Sequence, residues 1–160
     1  MAKASVLIAA CWVVIGASAL PRAADDTAAT EVIAVVQRMF EAMAAHDAAA
    51  LSGLMLPDGQ FHAVRTEQGQ RVVRATTFGE FIRRFGSARE RMVERMWQPS
   101  VRVDGDIATL TARYDFTRDG AFSHCGTDVF ELVRTPAGWR VAGGLYTVQP
   151  EGCPPSPLDK

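Results

Sequence analysis

The sequence lacks features that identify several common classes of protein. It has only two lysines, and its basic and acidic residues nearly balance at 17 against 18. A balanced charge argues against the strongly basic surface on which nucleic-acid-binding domains depend. We therefore expect no nucleic-acid partner.

The motifs of well-known catalytic and metal sites are also missing. The chain has no glycine-rich phosphate loop, no serine nucleophile elbow and no HxH or HExxH spacing. His62, His124 and Asp128 are residue types that bind metals, but no short-range spacing joins them. We therefore expect no metal and no cofactor.

No apolar run reaches the roughly 20 residues that a membrane-spanning helix needs. Residues 4–19 form a shorter apolar run, which follows Lys3 and ends in Ala17-Ser18-Ala19. This pattern is typical of a secretory signal peptide that is cleaved after Ala19. We expect a signal peptide over 1–19, a linker over 20–29, and a mature protein that is periplasmic or secreted and has no membrane partner.

Cysteine is scarce, and the few cysteines present fit an oxidising compartment. Cys11 lies in the expected signal peptide, which leaves Cys125 and Cys153. Such a pair is usually joined in secreted proteins, and we expect a disulfide that ties the tail over 150–160 to the domain. A catalytic or metal-binding cysteine would need a second thiol nearby, as in CxxC, and the sequence has none.

The part of the chain after the expected linker predicts three helices. Apolar residues recur at spacings of three and four in the first of them: Val32, Val35, Val36, Met39, Phe40 and Met43. Asp47 is placed to cap a second, shorter helix. Thr77 and Glu80 form a capping box at the start of a third.

Strand patterns alternate with turn signals elsewhere. Residues 61–64 and 71–74 predict a hairpin, and residues 91–149 predict an antiparallel meander broken at DGD, RDGA and TPAG. Alternation places three sets on the inner face: Ala108, Leu110, Ala112, Tyr114 and Phe116; Phe122, His124, Gly126, Asp128, Phe130 and Leu132; and Trp139, Val141, Gly143 and Leu145. Cys125 and Tyr146 are predicted on the outer face. The pattern predicts an α+β fold in which three helices of the N-terminal half cover one face of a curved antiparallel sheet.

Two segments carry a resemblance to a known family. They are VVQRMFEAMAAHDAAALSGLMLPDGQF and FELVRTPAGWRVAGGLYTVQ. The chain resembles the nuclear transport factor 2-like superfamily over residues 30–149, with its SnoaL-like and ketosteroid-isomerase-like cone fold, and is most similar to secreted domains of unknown function and lumazine-binding-like branches. The resemblance implies one cone-shaped, cystatin-like domain over 30–149, and a homodimer, since many relatives dimerise.

The catalytic residues of ketosteroid isomerases carry over only in part. Their oxyanion-hole tyrosine falls on Met39 and their general base falls near Ala63, and neither side chain has that chemistry. The acid that lines the cone in those relatives has an equivalent at Asp128.

The candidate catalytic residues are Asp128, His124 and His62. A carboxyl among inward apolar side chains is desolvated, and its pKa is raised into the range useful for proton transfer. His124 lies a diagonal step away, and His62 comes from the hairpin. The alternatives are an ion pair for Asp128 with an arginine and simple solvation for the histidines.

A pocket for a small apolar or aromatic molecule is the related expectation. Its predicted lining is Phe40, Trp97, Phe122, Phe130 and Trp139, with Asp128 and His62 as polar anchors. The same aromatic residues also suit an ordinary core.

Three functions are compatible with these residues. The first is a secreted small-molecule-binding domain, which requires a pocket of a few hundred Å³ with one polar anchor. The second is a cofactor-free acid/base enzyme of the isomerase, dehydratase or cyclase kind, which requires titratable groups that converge in a cavity. The third is a dimerising interaction module with Tyr114 and Phe116 between the chains.

Overall fold

The computed structural model describes residues 21–159, and side chains from Asp26 onward. The helices are α1 (Pro21–Ala44), α2 (Ala48–Leu54) and α3 (Phe78–Gly86). The strands are β1 (Met55–Glu67), β2 (Gln70–Thr77), β3 (Met92–Asp104), β4 (Ile107–Arg118), β5 (Ala121–Thr135) and β6 (Gly138–Val148). The predicted signal peptide lies outside the described residues.

The six strands form a single sheet in the order β2-β1-β6-β5-β4-β3. All neighbouring pairs are antiparallel except β1 and β6, which run parallel. The predicted α+β fold with three helices and a curved sheet is confirmed, and the sheet is mixed rather than wholly antiparallel. The parallel pair arises because α3 carries the chain from one edge of the sheet to the other, which leaves β6 to return beside β1.

The helices begin where local sequence favours them. The Asp47 side chain accepts from the Ala50 backbone N–H at 2.8 Å, which confirms the predicted cap of α2. Thr77 and Glu80 form the predicted capping box at α3. The apolar stripe of α1 is buried against the sheet, as its spacing predicts.

The start of α1 corrects one prediction. The segment expected to be a linker over 20–29 is helical from Pro21 onward. Proline suits the first turn of a helix, and the alanines that follow are strong helix formers. Ala28 is already buried in the core.

Two irregularities in the sheet correct the predicted faces of three side chains. Phe116 pairs with His124 but Thr117 pairs with Phe122, so β5 holds one extra residue at Ser123. The side chain of Phe122 therefore turns outward, where it is 54% exposed.

A similar irregularity lies between β5 and β6. Glu131 pairs with Gly143 and Leu132 pairs with Val141, so β6 gains one residue. Beyond this point the alternation is reversed. Tyr146 therefore points inward and Leu145 outward, the opposite of the prediction.

The C-terminal tail is held to the outer face of the sheet. Cys125 and Cys153 form the predicted disulfide, with their Cα atoms 6.0 Å apart. Arg95 binds Asp159 at 2.8 Å and the buried carboxyl of Asp115 at 2.6 Å. Within residues 21–159, none of the helices combines the length and apolar character that crossing a membrane requires.

Candidate active site

A cavity of about 80 Å³ lies between the helices and the inner face of the sheet. Its wall combines an apolar part with a group of ionisable side chains. The apolar and neutral lining is Met39, Phe40, Met43, Phe61, Thr76, Phe81, Phe85, Phe116 and Phe130, and the ionisable lining is Arg84, Glu94, Tyr114, Arg118, His124, Asp128 and Tyr146.

Two acids reach this cavity from strands that are not neighbours. Glu94 lies on β3 opposite Phe116, and Asp128 lies on β5 opposite Ala112. Strand alternation directs both side chains to the inner face.

The two carboxyls interact as a pair. Asp128 is only 2% exposed, and its Oδ2 has no hydrogen-bond partner among the described residues. Burial, followed by the charge of Glu94 and a hydrogen bond to it, raises the pKa of Asp128 well above its usual range. Burial also raises the pKa of Glu94 to about 7, although the hydrogen bond from Asp128 opposes this rise. A hydrogen bond between two carboxyls needs a proton on one of them, and burial favours the protonated form of both.

Two tyrosines lie beside the pair. Burial raises the pKa of Tyr114, and its hydroxyl donates to the Thr147 carbonyl at 2.7 Å, which gives it a structural role. Tyr146 pairs with Asp128 across the strands, and burial raises its pKa as well. Tyr146 therefore stays protonated and can donate a hydrogen bond into the cavity.

His124 is held as a neutral imidazole. Its ring stacks on Phe116 with centroids 4.9 Å apart, and its Nδ1 lies 3.0 Å from the Ser123 hydroxyl. Burial lowers its pKa to about 4, and the positive charges of Arg118, Arg65 and Arg84 add to that effect. His124 can form hydrogen bonds in the cavity, but it is not a proton donor of the imidazolium type near neutral pH.

Four of the predicted site residues meet at this cavity, namely Phe40, His124, Asp128 and Phe130. His62 does not. Its neighbours Phe61 and Ala63 are buried on the inner face, so the side chain of His62 points to the outer face. His62 and Asp128 therefore lie on opposite faces of the sheet, which corrects the prediction that their side chains converge.

The other predicted lining residues lie elsewhere. Trp97 lies at a register shift in β3. Phe122 is exposed because the extra residue at Ser123 turns its side chain outward. Trp139 is buried near the start of α1, where its indole N–H donates to Glu31 at 3.2 Å. Arg134 covers the indole ring at 4.6 Å. The side chains of Trp97, Phe122 and Trp139 therefore do not line the cavity.

The placement of Tyr114 and Phe116 corrects the predicted dimer contact. Both side chains are buried in the core, at 1% and 5% exposure. Neither is accessible to a second copy of the chain. A homodimer would need other residues.

Glu94, Tyr146, Arg84 and Arg118 line the cavity but were not predicted as site residues. The alternation of Met92, Glu94 and Met96 contains a usable signal, because an acid between two inward methionines is expected to point inward too. No local signal identifies the two arginines, since the cavity brings them together from α3 and β4. The described residues contain no cluster of three or more His, Cys, Asp or Glu side chains suited to a metal.

The family model of the SnoaL-like domain matches residues 32–143. The chain belongs to this family. The match covers α1 to β6 and every acid of the cavity, so the resemblance inferred from the sequence is confirmed. No curated protein matches the sequence of this SnoaL-like domain.

Solved structures share the fold at low identity. A nuclear transport factor 2-like protein from Salmonella enterica aligns over 80% of this chain and 95% of its own, with 15% identity and a TM-score of 0.62. A protein of unknown function from Mycobacterium tuberculosis aligns over 84% and 78%, with 18% identity and a TM-score of 0.67. A nuclear transport factor 2-like protein with a cystatin-like fold from Novosphingobium aromaticivorans aligns over 83% and 92%, with 20% identity and a TM-score of 0.64. These likenesses establish the fold of this SnoaL-like domain.

Proposed function

We propose that this SnoaL-like domain is an acid/base enzyme of the isomerase, dehydratase or cyclase kind that acts on a small molecule in the cone cavity. The observation that carries the proposal is the placement of Glu94 and Asp128 in the wall of one cavity, where burial raises the pKa of both carboxyls. Groups tuned in this way are suited to proton transfer near neutral pH.

The two carboxyls have complementary roles in the proposal. Glu94, with a pKa of about 7, accepts a proton from a carbon of the substrate when it is ionised. Asp128 is protonated before the reaction and donates its proton to the substrate oxygen. Tyr146 is a second hydrogen-bond donor to that oxygen. A C–H bond breaks and an O–H bond forms, which gives an enol. In an isomerisation, Glu94 returns its proton to another carbon while the enol O–H proton goes back to Asp128, which restores the carbonyl. In a dehydration, Glu94 gives its proton to a hydroxyl that leaves as water, and the enol O–H proton again returns to Asp128.

The cavity supports catalysis over binding alone. A binding module of the predicted kind has a pocket of a few hundred Å³ with one polar anchor. This cavity is smaller, at about 80 Å³, and its wall contains an interacting pair of acids. Burial of two carboxyls costs folding energy, so their presence in a small cavity favours a chemical use.

Proton exchange with solvent tests the proposal. The protein is incubated in D₂O with a panel of small carbonyl and hydroxy compounds, and incorporation of deuterium at carbon is followed by proton NMR. Exchange is expected for at least one compound. It should be lost in Asp128→Asn and in Glu94→Gln, and retained in Glu131→Gln, a change at an exposed acid of β5. A compound that binds the wild-type cavity without any exchange in the whole panel would favour the binding module instead.

We propose further that the mature chain works in the periplasm or outside the cell and forms a homodimer. The N-terminal pattern and the Cys125–Cys153 disulfide support the location. Alkylation of the protein without prior reduction should modify neither cysteine. Light scattering at micromolar concentration tests the homodimer, and a monomer there would contradict it.

A further inference from the structure

One cavity contains both buried polar side-chain atoms that lack a hydrogen-bond partner among the described residues. They are Asp128 Oδ2 and Arg118 Nε. Buried polar groups are normally paired, and an unpaired one in a native structure calls for an explanation, such as a partner that binds there. The proposed proton transfer uses Asp128. It leaves Arg118 without a role.

The Nε atom of the Arg118 guanidinium has no partner among the described residues. Glu90 accepts from Nη1 of Arg118 at 3.3 Å, and both side chains are more than 40% exposed. This ion pair is therefore weak. It also leaves the edge formed by Nε and Nη2, which is the edge that matches the two oxygens of a carboxylate.

The surrounding charge at this end of the cavity is positive. Arg84 lines the same cavity from the last turn of α3, and no carboxylate among residues 26–159 pairs with it. Burial is the main cause of the lowered pKa of His124, and the positive charges of Arg118, Arg65 and Arg84 lower it further. Asp128 and Glu94 line the same cavity, and burial raises the pKa of both carboxyls.

We infer that the ligand is a small monocarboxylate with a carbonyl or hydroxyl group, whose carboxylate binds the Nε edge of Arg118 beside Arg84 and whose reactive carbon faces Asp128 and Glu94. This inference rests on the proposed acid/base function of the same cavity. It adds the chemical class of the substrate.

The volume of the cavity limits the size of this acid. Each water takes about 30 Å³ in the liquid, so a cavity of about 80 Å³ has room for roughly three waters or for a molecule of a few heavy atoms. A short-chain oxo or hydroxy acid fits this space. A steroid-sized molecule does not.

Matched carboxylates and amides test the inference. Binding of pyruvate and 3-hydroxypropionate is compared by calorimetry with that of pyruvamide and 3-hydroxypropionamide, which have the same shape without the charge. At least one carboxylate should bind about tenfold or more tightly than its amide, since a hydrogen bond to a charged group is stronger than one to a neutral group. Equal binding of the carboxylates and amides, or no carboxylate binding at millimolar concentration, would overturn the inference.

Variants locate the anion site. Arg118→Met keeps the aliphatic stem and should weaken carboxylate binding about tenfold, without any effect on amide binding. Arg84→Met provides a second measurement in the same direction if Arg118→Met does not fold. Arg71→Met, at an exposed arginine of β2, should change nothing. If both cavity variants keep the wild-type preference for carboxylates, the two arginines do not bind the carboxylate.

Different experimental results would overturn the inferred anion site and the proposed enzymatic function. Asp128→Asn should abolish proton exchange and keep the preference for carboxylates. Carboxylate binding without exchange in the wild type would support the anion site and overturn the enzyme. Exchange on neutral compounds alone would support the enzyme and overturn the anion site.

Discussion

Glu94 of β3 interacts with Asp128 of β5 across the strand β4 that separates them in the sheet. The interaction joins side chains of two strands that do not pair directly with each other. It places two acids with raised pKa values at one cavity. This pair gives the domain a site for proton transfer, and it also makes folding stability depend on pH.

The carboxyl pair should destabilise the protein as the pH rises. Both pKa values are raised in the folded state, so the folded protein binds more protons than the unfolded chain between about pH 4.5 and 7. The stability that protonation provides is therefore complete at low pH and is lost as the pH rises through 7. For Glu94 the loss is on the order of 3 kcal/mol.

Thermal denaturation from pH 5 to pH 8 measures this effect. The double variant Glu94→Gln/Asp128→Asn should gain stability relative to the wild type as the pH rises. The control Glu131→Gln should follow the wild-type curve. A difference between double variant and wild type that is constant with pH would contradict the raised pKa values.

The titration of His124 should lower folding stability as the pH falls, which is opposite to the effect of the carboxyl pair. Its pKa is lowered to about 4 in the folded state, below the ordinary value of 6.5. The unfolded chain therefore binds the proton first, and stability is lost as the pH falls from 6.5 toward 4. His124→Gln should remove this loss in urea denaturation at pH 4.5 and 7, whereas His62→Gln on the outer face should retain it. An identical acid loss in wild type and His124→Gln would refute the assignment.

The disulfide should make a large contribution to stability. It closes a loop between residues 28 apart, which in the chain-entropy model is worth roughly 3.5 kcal/mol. Cys153→Ser should lower the free energy of unfolding by about this amount in urea denaturation. Dithiothreitol should destabilise the wild type and have no effect on Cys153→Ser. Equal stability of the reduced and oxidised wild type would show that the bond constrains nothing in the unfolded chain.

Gly126 should not accept a side chain. A Cβ atom at this position would overlap the Thr147 carbonyl and lie 2.7 Å from the ring of Tyr114. Gly126→Ala should therefore displace Tyr114 from its hydrogen bond to Thr147 and cost about 1–3 kcal/mol.

Gly53→Ala is the matched control for Gly126→Ala. Gly53 lies in α2, and a Cβ there meets no atom within 4 Å. Alanine in a helix should leave stability unchanged or raise it by up to about 1 kcal/mol. Equal effects of the two substitutions in urea denaturation would refute the packing argument at Gly126.

Local patterns predicted the elements of the fold better than the lining of the site. The stripe of α1, the caps at Asp47 and Thr77, and the alternation around Asp128 all depend on neighbours in sequence, so they could be recognised there. Phe122 and Tyr146 were assigned to the wrong faces because one extra residue in a strand reverses alternation beyond it. Such irregularities are set by pairing with another strand.

The amino-acid sequence was enough to predict an α+β fold, the pairing of Cys125 with Cys153 and an inward acid at Asp128, because periodicity, cysteine number and alternation can be recognised along the chain. The cone shape was an expectation from the family resemblance. The tertiary structure alone decided that Glu94 is the partner of Asp128 and that arginines from α3 and β4 share their cavity. The physical reason is that pKa values depend on burial and on charges nearby in space. Curvature of the sheet brings those charges together from residues far apart in the chain.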